Sequence, residues 1–351
     1  MAGIDINQRF TIEKYYSKAE IAKALHTNLI EPLWKDIIEF RSKLSIVLPI
    51  IDTSRAHFTL TYVDLITSKS TNFNDLISNF ISNYSKIKKG SVADYTFTHD
   101  MLKNSLKMVA KVNHIDVSEV TLTNILDNQP VEDCEILKRF KNALLNFETD
   151  SFNTANEEFL ANNYAILRGE DELTSFYRVI DNETASSKAL VDREYDQGVP
   201  AHLIEEMMNS LFEYIDNTDV SLVNRLIAIF FMFNYVKPFE KYNFELSALL
   251  AKRVIALSNV NSYAIYLPIE LIFADQEFFD ETSREVRKTH DFTYAVVRGC
   301  EILSDSIIAA NTRIKQVHAE VLDAESKLGT DPKKIKEEFG DQVEHIQIAK
   351  T

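Results

Sequence analysis

Glycine is scarce in this sequence. There are seven in 351 residues, against a usual share of roughly 7%. The closest two, Gly329 and Gly340, lie eleven positions apart. A Walker loop or a GxGxxG dinucleotide turn needs several glycines within about eight residues, so neither exists here. Proline is equally rare, at seven. With so few turn formers, an all-β fold of short strands is disfavoured and long helices are favoured. Cys134 and Cys300 are the only cysteines. With no CxxC pair they exclude a cysteine-based metal site and suit a reducing compartment. The longest apolar run, Leu226–Phe233, is eight residues, far short of the ~20 a membrane helix needs. Basic residues are outnumbered, 38 Lys and Arg against 53 Asp and Glu, for a formal charge of −15. That argues against a general nucleic-acid binder, which needs a cationic face. The opening MAGIDINQRFTIEKYYSK has spaced charges and no apolar stretch, so no secretory signal is expected. These absences predict a soluble, cytoplasmic protein with no membrane segment and no nucleic-acid partner.

What is present is helical periodicity over an apolar content of 45%, enough for a sizeable core. Apolar positions three and four apart predict helices within 19–48 (with a kink or new start at Pro32) and at 73–88, 98–112, 117–127, 133–147 and 154–167. They resume at 200–215, 219–233, 243–258, 270–287 and 289–328. Alternation of Phe58, Leu60 and Tyr62 with threonines predicts one short strand in 56–66. In 176–194 two short apolar segments flank the polar DNETASS, which reads as a β-hairpin or an ordered loop. Leu303, Ile307, Ala310, Ile314, Val317, Val321, Ala324 and Leu328 repeat at alternating four and three, a seam of almost four heptads. The seam fits a long helix packed on its own domain, or a homodimer contact through 303–328. The eight histidines form no HxxxH or HExxH pattern, so no metal site is expected. His290-Asp291 reads as a helix start, not a catalytic dyad.

The most informative stretch is 199–256. There an apolar helix runs into Lys237-Pro238-Phe239-Glu240-Lys241-Tyr242-Asn243-Phe244-Glu245, and a second helix follows. It resembles the core of the Fic (Fic/Doc) family, in which His-Pro-Phe-x-(Asp/Glu)-Gly-Asn-Gly-Arg sits between two such helices. Pro238, Phe239 and Asn243 match. Upstream, Thr123, Asp127 and Asn128 resemble the family's inhibitory helix, (Ser/Thr)-x-x-x-Glu-(Gly/Asn), and Phe176-Tyr177-Arg178 resembles the start of its flap hairpin. Residues 273–294 resemble the helical pair after the core. The resemblance covers roughly 117–310. It implies an all-α, mainly helical fold: a Fic-like core with a short β-hairpin flap, plus an N-terminal helical region. The division that follows is 1–115 for the N-terminal region and 116–310 for the Fic-like domain. Within that domain lie the inhibitory-type helix at 117–128, the flap at 176–194 and the motif loop at 237–245. A C-terminal helix and charged tail occupy 311–351.

The implied activity is transfer of AMP from ATP to a protein hydroxyl, and the motif departs from its needs. The base position holds Lys237, which at an unperturbed pKa near 10.4 leaves about one molecule in 2,500 neutral at pH 7. Lys241 stands at the Mg²⁺ ligand position, where a hard oxygen donor is required, although the neighbouring Glu240 could substitute. The two phosphate-cradling glycines are Tyr242 and Phe244, whose side chains should fill the phosphate volume. Glu245 replaces the phosphate-binding Arg, and Ala248 a second one. Asn243 and Glu245 also suit a plain helix start, as cap and as first-turn acid. Asp127 would face Glu245, or pair with Lys237 or Lys241. The expectation is an inactivated Fic-like protein that binds an unknown protein partner through its flap, with no cofactor. The alternative is a nucleotidyltransferase with a remodelled site that uses ATP and Mg²⁺.

Overall fold

The structure, a computed structural model, describes residues 5–148, 154–170, 176–181 and 198–328. It is mainly helical. In chain order the elements are α1 (Lys18–Leu25), α2 (Glu31–Ser42), β1 (Ser45–Ile51), β2 (His57–Thr61), α3 (Asp64–Tyr84), α4 (Val92–Val112), α5 (Glu119–Leu126), α6 (Glu135–Leu145) and α7 (Glu157–Arg168). They continue with α8 (Ile204–Asp216), α9 (Leu222–Val236), α10 (Asn243–Ile255), α11 (Gln276–Thr289) and α12 (Thr293–Leu328). Pro32 lies in the first turn of α2, where a missing N–H costs nothing, so it opens a new helix and does not kink an old one.

Residues 45–48, expected at the end of a helix, form β1 instead. Ser45-Ile46-Val47-Leu48-Pro49 is rich in β-branched residues, and Pro49 would break a helix that continued through it. β1 pairs antiparallel with β2 in the register Ser45↔Thr61, Ile46↔Leu60 and Val47↔Thr59. The N-terminal region is therefore not purely helical. The outer edge of β2 is tied to the α11–α12 corner, where the Thr59 N–H donates to the His290 carbonyl (2.7 Å) and the Phe292 N–H to the Thr59 carbonyl (2.7 Å). His290 and Asp291 are turned apart at that corner. His290 Nε2 meets Asp52 Oδ2 at 2.8 Å, while the buried Asp291 accepts from Tyr15, Thr61 and the Thr293 N–H. They form no dyad, and Asp291 starts α12 as expected.

The packing centre is the pair α9 and α10. Nearly every residue of both is buried, including the polar Asn224, Arg225, Glu245, Lys252 and Arg253, so neither helix keeps a solvent face and these polar groups are held inside the core. Other elements wrap this pair, and one continuous core runs from Tyr15 to Val317. The heptad seam of α12 belongs to it. Leu303, Ile307, Ala310, Ile314 and Val317 are buried against the chain's own α3 and α4. The seam is thus an intramolecular packing face over these positions. The stretch 269–274 is a 3₁₀ turn following Pro268, so α11 starts at Gln276, later than its periodicity suggests, with Asp275 capping the Phe278 N–H at 2.8 Å. No helix among the described residues is long and apolar enough to cross a membrane.

Candidate functional site

The loop between α9 and α10 carries the motif residues. Lys237 ends α9 in the left-handed region (φ 47°), its N–H still bonded to the Phe233 carbonyl at 3.0 Å. Tyr242, at φ 65°, precedes α10 in the same region. An L-residue with a side chain pays roughly 1–2 kcal/mol there, and glycine does not. The backbone at 242 thus keeps a shape suited to the glycine that the resemblance places there, although the residue is Tyr. Asn243 is not the N-cap, since Tyr242 occupies that position and Asn243 is the first helical residue. Its carboxamide closes the loop on itself instead, accepting from the Phe239 N–H (3.0 Å) and donating to the Phe239 carbonyl (2.8 Å). Phe239 is buried in an aromatic nest with ring centroids of Tyr164 at 4.7 Å, Phe176 at 5.3 Å and Tyr177 at 5.6 Å.

Arg178, expected to begin the flap, clamps this loop. Its N–H donates to the Pro238 carbonyl (3.0 Å) and its Nε to the Lys237 carbonyl (2.8 Å). Its guanidinium also reaches the Val236 (3.2 Å) and Val199 carbonyls. Val236 and Lys237 are the last residue and the cap of α9, so two of these bonds satisfy carbonyls that a buried helix end leaves over, and the Val199 bond ties in the segment before α8. Gly198 makes the approach possible. A Cβ there would lie 2.5 Å from the Val236 carbonyl oxygen and 2.8 Å from Lys237 Cβ, at φ +73°. Gly198→Ala should therefore lower stability by about 2 kcal/mol or more, read as a lower denaturation midpoint in urea. The rest of the expected flap, residues 182–194, lies outside the described residues.

Beside the loop is a cavity of about 320 Å³, lined by Asn113, Asn234, Lys237, Lys241, Tyr242 and Glu245 among others. Tyr242 and Phe244 line it and do not fill it, because Phe244 turns into an aromatic group with Phe273 (5.1 Å) and Phe279 (6.0 Å). Glu245 is buried, and its carboxylate accepts from Asn113 Nδ2. Burial pushes its pKa upward, and only the Asn113 contact and a backbone hydrogen bond oppose the rise. The expected charge repulsion at this position therefore becomes a buried acid driven toward its neutral form. Glu240 does not line the cavity. It is exposed and lies 3.6 Å from Arg168.

Asp127 neither faces Glu245 nor pairs with Lys237 or Lys241. It caps the end of α5 and bonds to α4, through the Tyr95 hydroxyl (3.1 Å) and His99 Nε2 (3.2 Å). Asn128, in the left-handed region, accepts from Lys141 Nζ at 2.6 Å, so α5 is fastened to α4 and α6. Thr123 uses its hydroxyl on the Glu119 carbonyl of its own helix (3.0 Å). Sequence reasoning missed Asn113 and Gly198. Asn113 lies 132 positions from the group it bonds and has no motif around it. Gly198 carried a signal in being one of so few glycines, immediately before Val199-Pro200.

No family model matches the chain, and no curated relative does. Solved structures do match. A Fic family protein from Desulfovibrio desulfuricans shares 15% identity at a TM-score of 0.55, over 70% of this chain and 74% of that one. Fic-1 from C. elegans shares 10% identity at a TM-score of 0.50, over 72% of this chain and 75% of that one. At these identities the likeness concerns the fold: the chain has the Fic fold.

Proposed function

We propose that this chain is a catalytically inactive protein on a Fic scaffold that acts by binding another protein. Glu245 carries the reading. The first turn of α10 is where helix amides would receive phosphates, and there the chain places a buried carboxyl group with no cation acting on it. A residue drawn to its neutral form supplies neither the attraction an arginine would give nor an ionised oxygen for Mg²⁺. The rest of the lining fits the nucleotide and its metal no better. Lys241 is a cation, Glu240 points elsewhere, and no group of three or more His, Cys, Asp or Glu among the described residues could hold a metal ion.

Support for a protein partner comes from the root of the flap. Arg178 anchors it to the motif loop, and the next two residues, Val179 and Ile180, are 75% and 74% exposed. Two bulky apolar side chains held in water beside a fixed backbone suit the docking of an extended segment. The competing reading, a remodelled transferase, draws on the cavity that persists beside Lys237 and Lys241. Titration calorimetry with ATP and Mg²⁺ separates the two. No heat of binding is expected, and micromolar affinity would overturn the proposal. Introducing Lys237→His, Lys241→Asp, Tyr242→Gly, Phe244→Gly and Glu245→Arg together is the companion measurement, and gain of ATP binding would place the loss in the motif alone.

A further inference from the structure

A shallow groove of about 680 Å³ lies between α2 and the end of α11, away from the motif loop. Its size is within the range of about 300–1,000 Å³ usual for binding clefts. Most of the lining comes from α2. Glu31, Trp34, Lys35 and Ile38 are three, four and seven positions apart, so they share one face of that helix. This is not the face that α2 buries. Ile30 and Ile37 turn into a small core with Phe10 and Ile21, while Trp34 and Ile38 stay partly exposed. Trp34 is the only tryptophan in the chain. The Arg41 guanidinium lies over its ring at 5.3 Å, so the indole is braced while it lines the groove. A braced aromatic loses little freedom on binding, and tryptophan is among the residue types that dominate protein contacts.

Charge decides what fits. Lys35 and Lys288 line the groove, both are exposed, and neither forms an ion pair among the described residues. Two α2 acids that could neutralise them are engaged elsewhere. Glu31 pairs with Lys18, and Glu39, which feels the charge of Lys35, pairs with Lys43 at 2.8 Å. In a chain of net charge −15, two unpaired cations beside Pro32, Trp34 and Ile38 are a local exception. Carboxylates complement them, and an apolar side chain complements the rest of the lining. An anionic membrane fits less well, because the surface is concave and the whole chain repels negative charge.

We infer that this groove docks a peptide segment of another protein in which a bulky apolar side chain is flanked by carboxylates. The apolar side chain packs against Trp34 and Ile38, and the carboxylates meet Lys35 and Lys288. The inference rests neither on the flap nor on the loss of catalysis.

The lone tryptophan makes the test direct. The blocked peptide Glu-Glu-Phe-Glu-Glu, titrated into the full chain at low salt, should change Trp34 emission and saturate with a Kd of about 100 µM or below. Replacing its Phe by Ser, or its Glu residues by Gln, should weaken binding about fivefold or more. Raising the ionic strength from ~20 to ~500 mM should weaken it severalfold, as for any contact between exposed charges. Lys35→Glu and Lys288→Glu should each weaken it about threefold, and together about tenfold. In ¹⁵N-resolved NMR the peptide should shift the amides of Lys35, Ile38 and Thr289. The inference is overturned if NMR shows no saturable binding, if the Gln peptide binds equally well, or if the shifts centre on 179–180 or 237–245. It is also overturned if phosphatidylserine vesicles, and not the peptide, move Trp34 emission to the blue. If either variant fails to fold, the peptide ranking and the shift map decide without it.

Discussion

Lys252→Met is expected to cost about 3–5 kcal/mol, the usual penalty for removing one partner of a buried ion pair. Lys252 and Glu270 are both fully buried, at 0% exposure, with Nζ 3.0 Å from Oε1. The ammonium also donates to the Ile265 (2.8 Å) and Leu267 (2.7 Å) carbonyls. Burial pulls its pKa down, and Glu270 opposes that pull. Methionine would fill the volume but leave Glu270 with no cation in a dry interior. The two loop carbonyls would lose their donor as well. Differential scanning calorimetry should show Tm falling by about 4–7 °C. The double variant Lys252→Met/Glu270→Leu should recover most of the loss, because removing both charges removes the desolvation cost. If the single and double variants melt together, the pair does not carry this energy.

Glu245→Gln should make the protein more stable, and increasingly so as the pH rises. The sign follows from proton counting. The unfolded chain releases this proton near its ordinary value of 4.5, while burial holds it in the folded state at higher pH. Between the two values the folded state binds more protons than the unfolded state, so stability falls as the pH increases. The contribution is whole below about 4.5 and is lost as the pH passes through the raised folded value. Glutamine cannot ionise, and its Oε1 can still accept from Asn113. Urea melts at pH 5, 6.5 and 8 should show a gap in favour of glutamine that widens upward, reaching about 1 kcal/mol or more at pH 8. A constant gap, or one that narrows, would mean that Glu245 is ionised throughout and has a counter-charge. The proposed loss of phosphate binding would then need another basis.

Much of the fold was legible in the sequence. Scarcity of glycine and proline excluded phosphate loops and short-stranded sheets, and periodicity located most helices to within a few residues. The departures share a cause: short-range pattern is blind to what a residue meets later. Residues 45–48 carry enough apolar character to extend α2, but β2, which arrives twelve residues on, pairs with them. The α12 positions from Leu303 to Val317 could have served another chain, and packing against α3 and α4 buries them in this one. Within the motif, the sequence by itself determined which residue types stand at 237–245, and hence that glycines and an arginine are missing. Only the tertiary structure decided what those residues do. It placed Asn113 against Glu245 and Arg178 against the carbonyls of Val236 and Lys237 at the end of α9, directed Asp127 to His99, and turned Phe244 aside so that a cavity survives. Those outcomes depend on distance and burial between residues tens to more than a hundred positions apart. Burial also sets whether Glu245 is a charge or a neutral acid, and no local pattern encodes it.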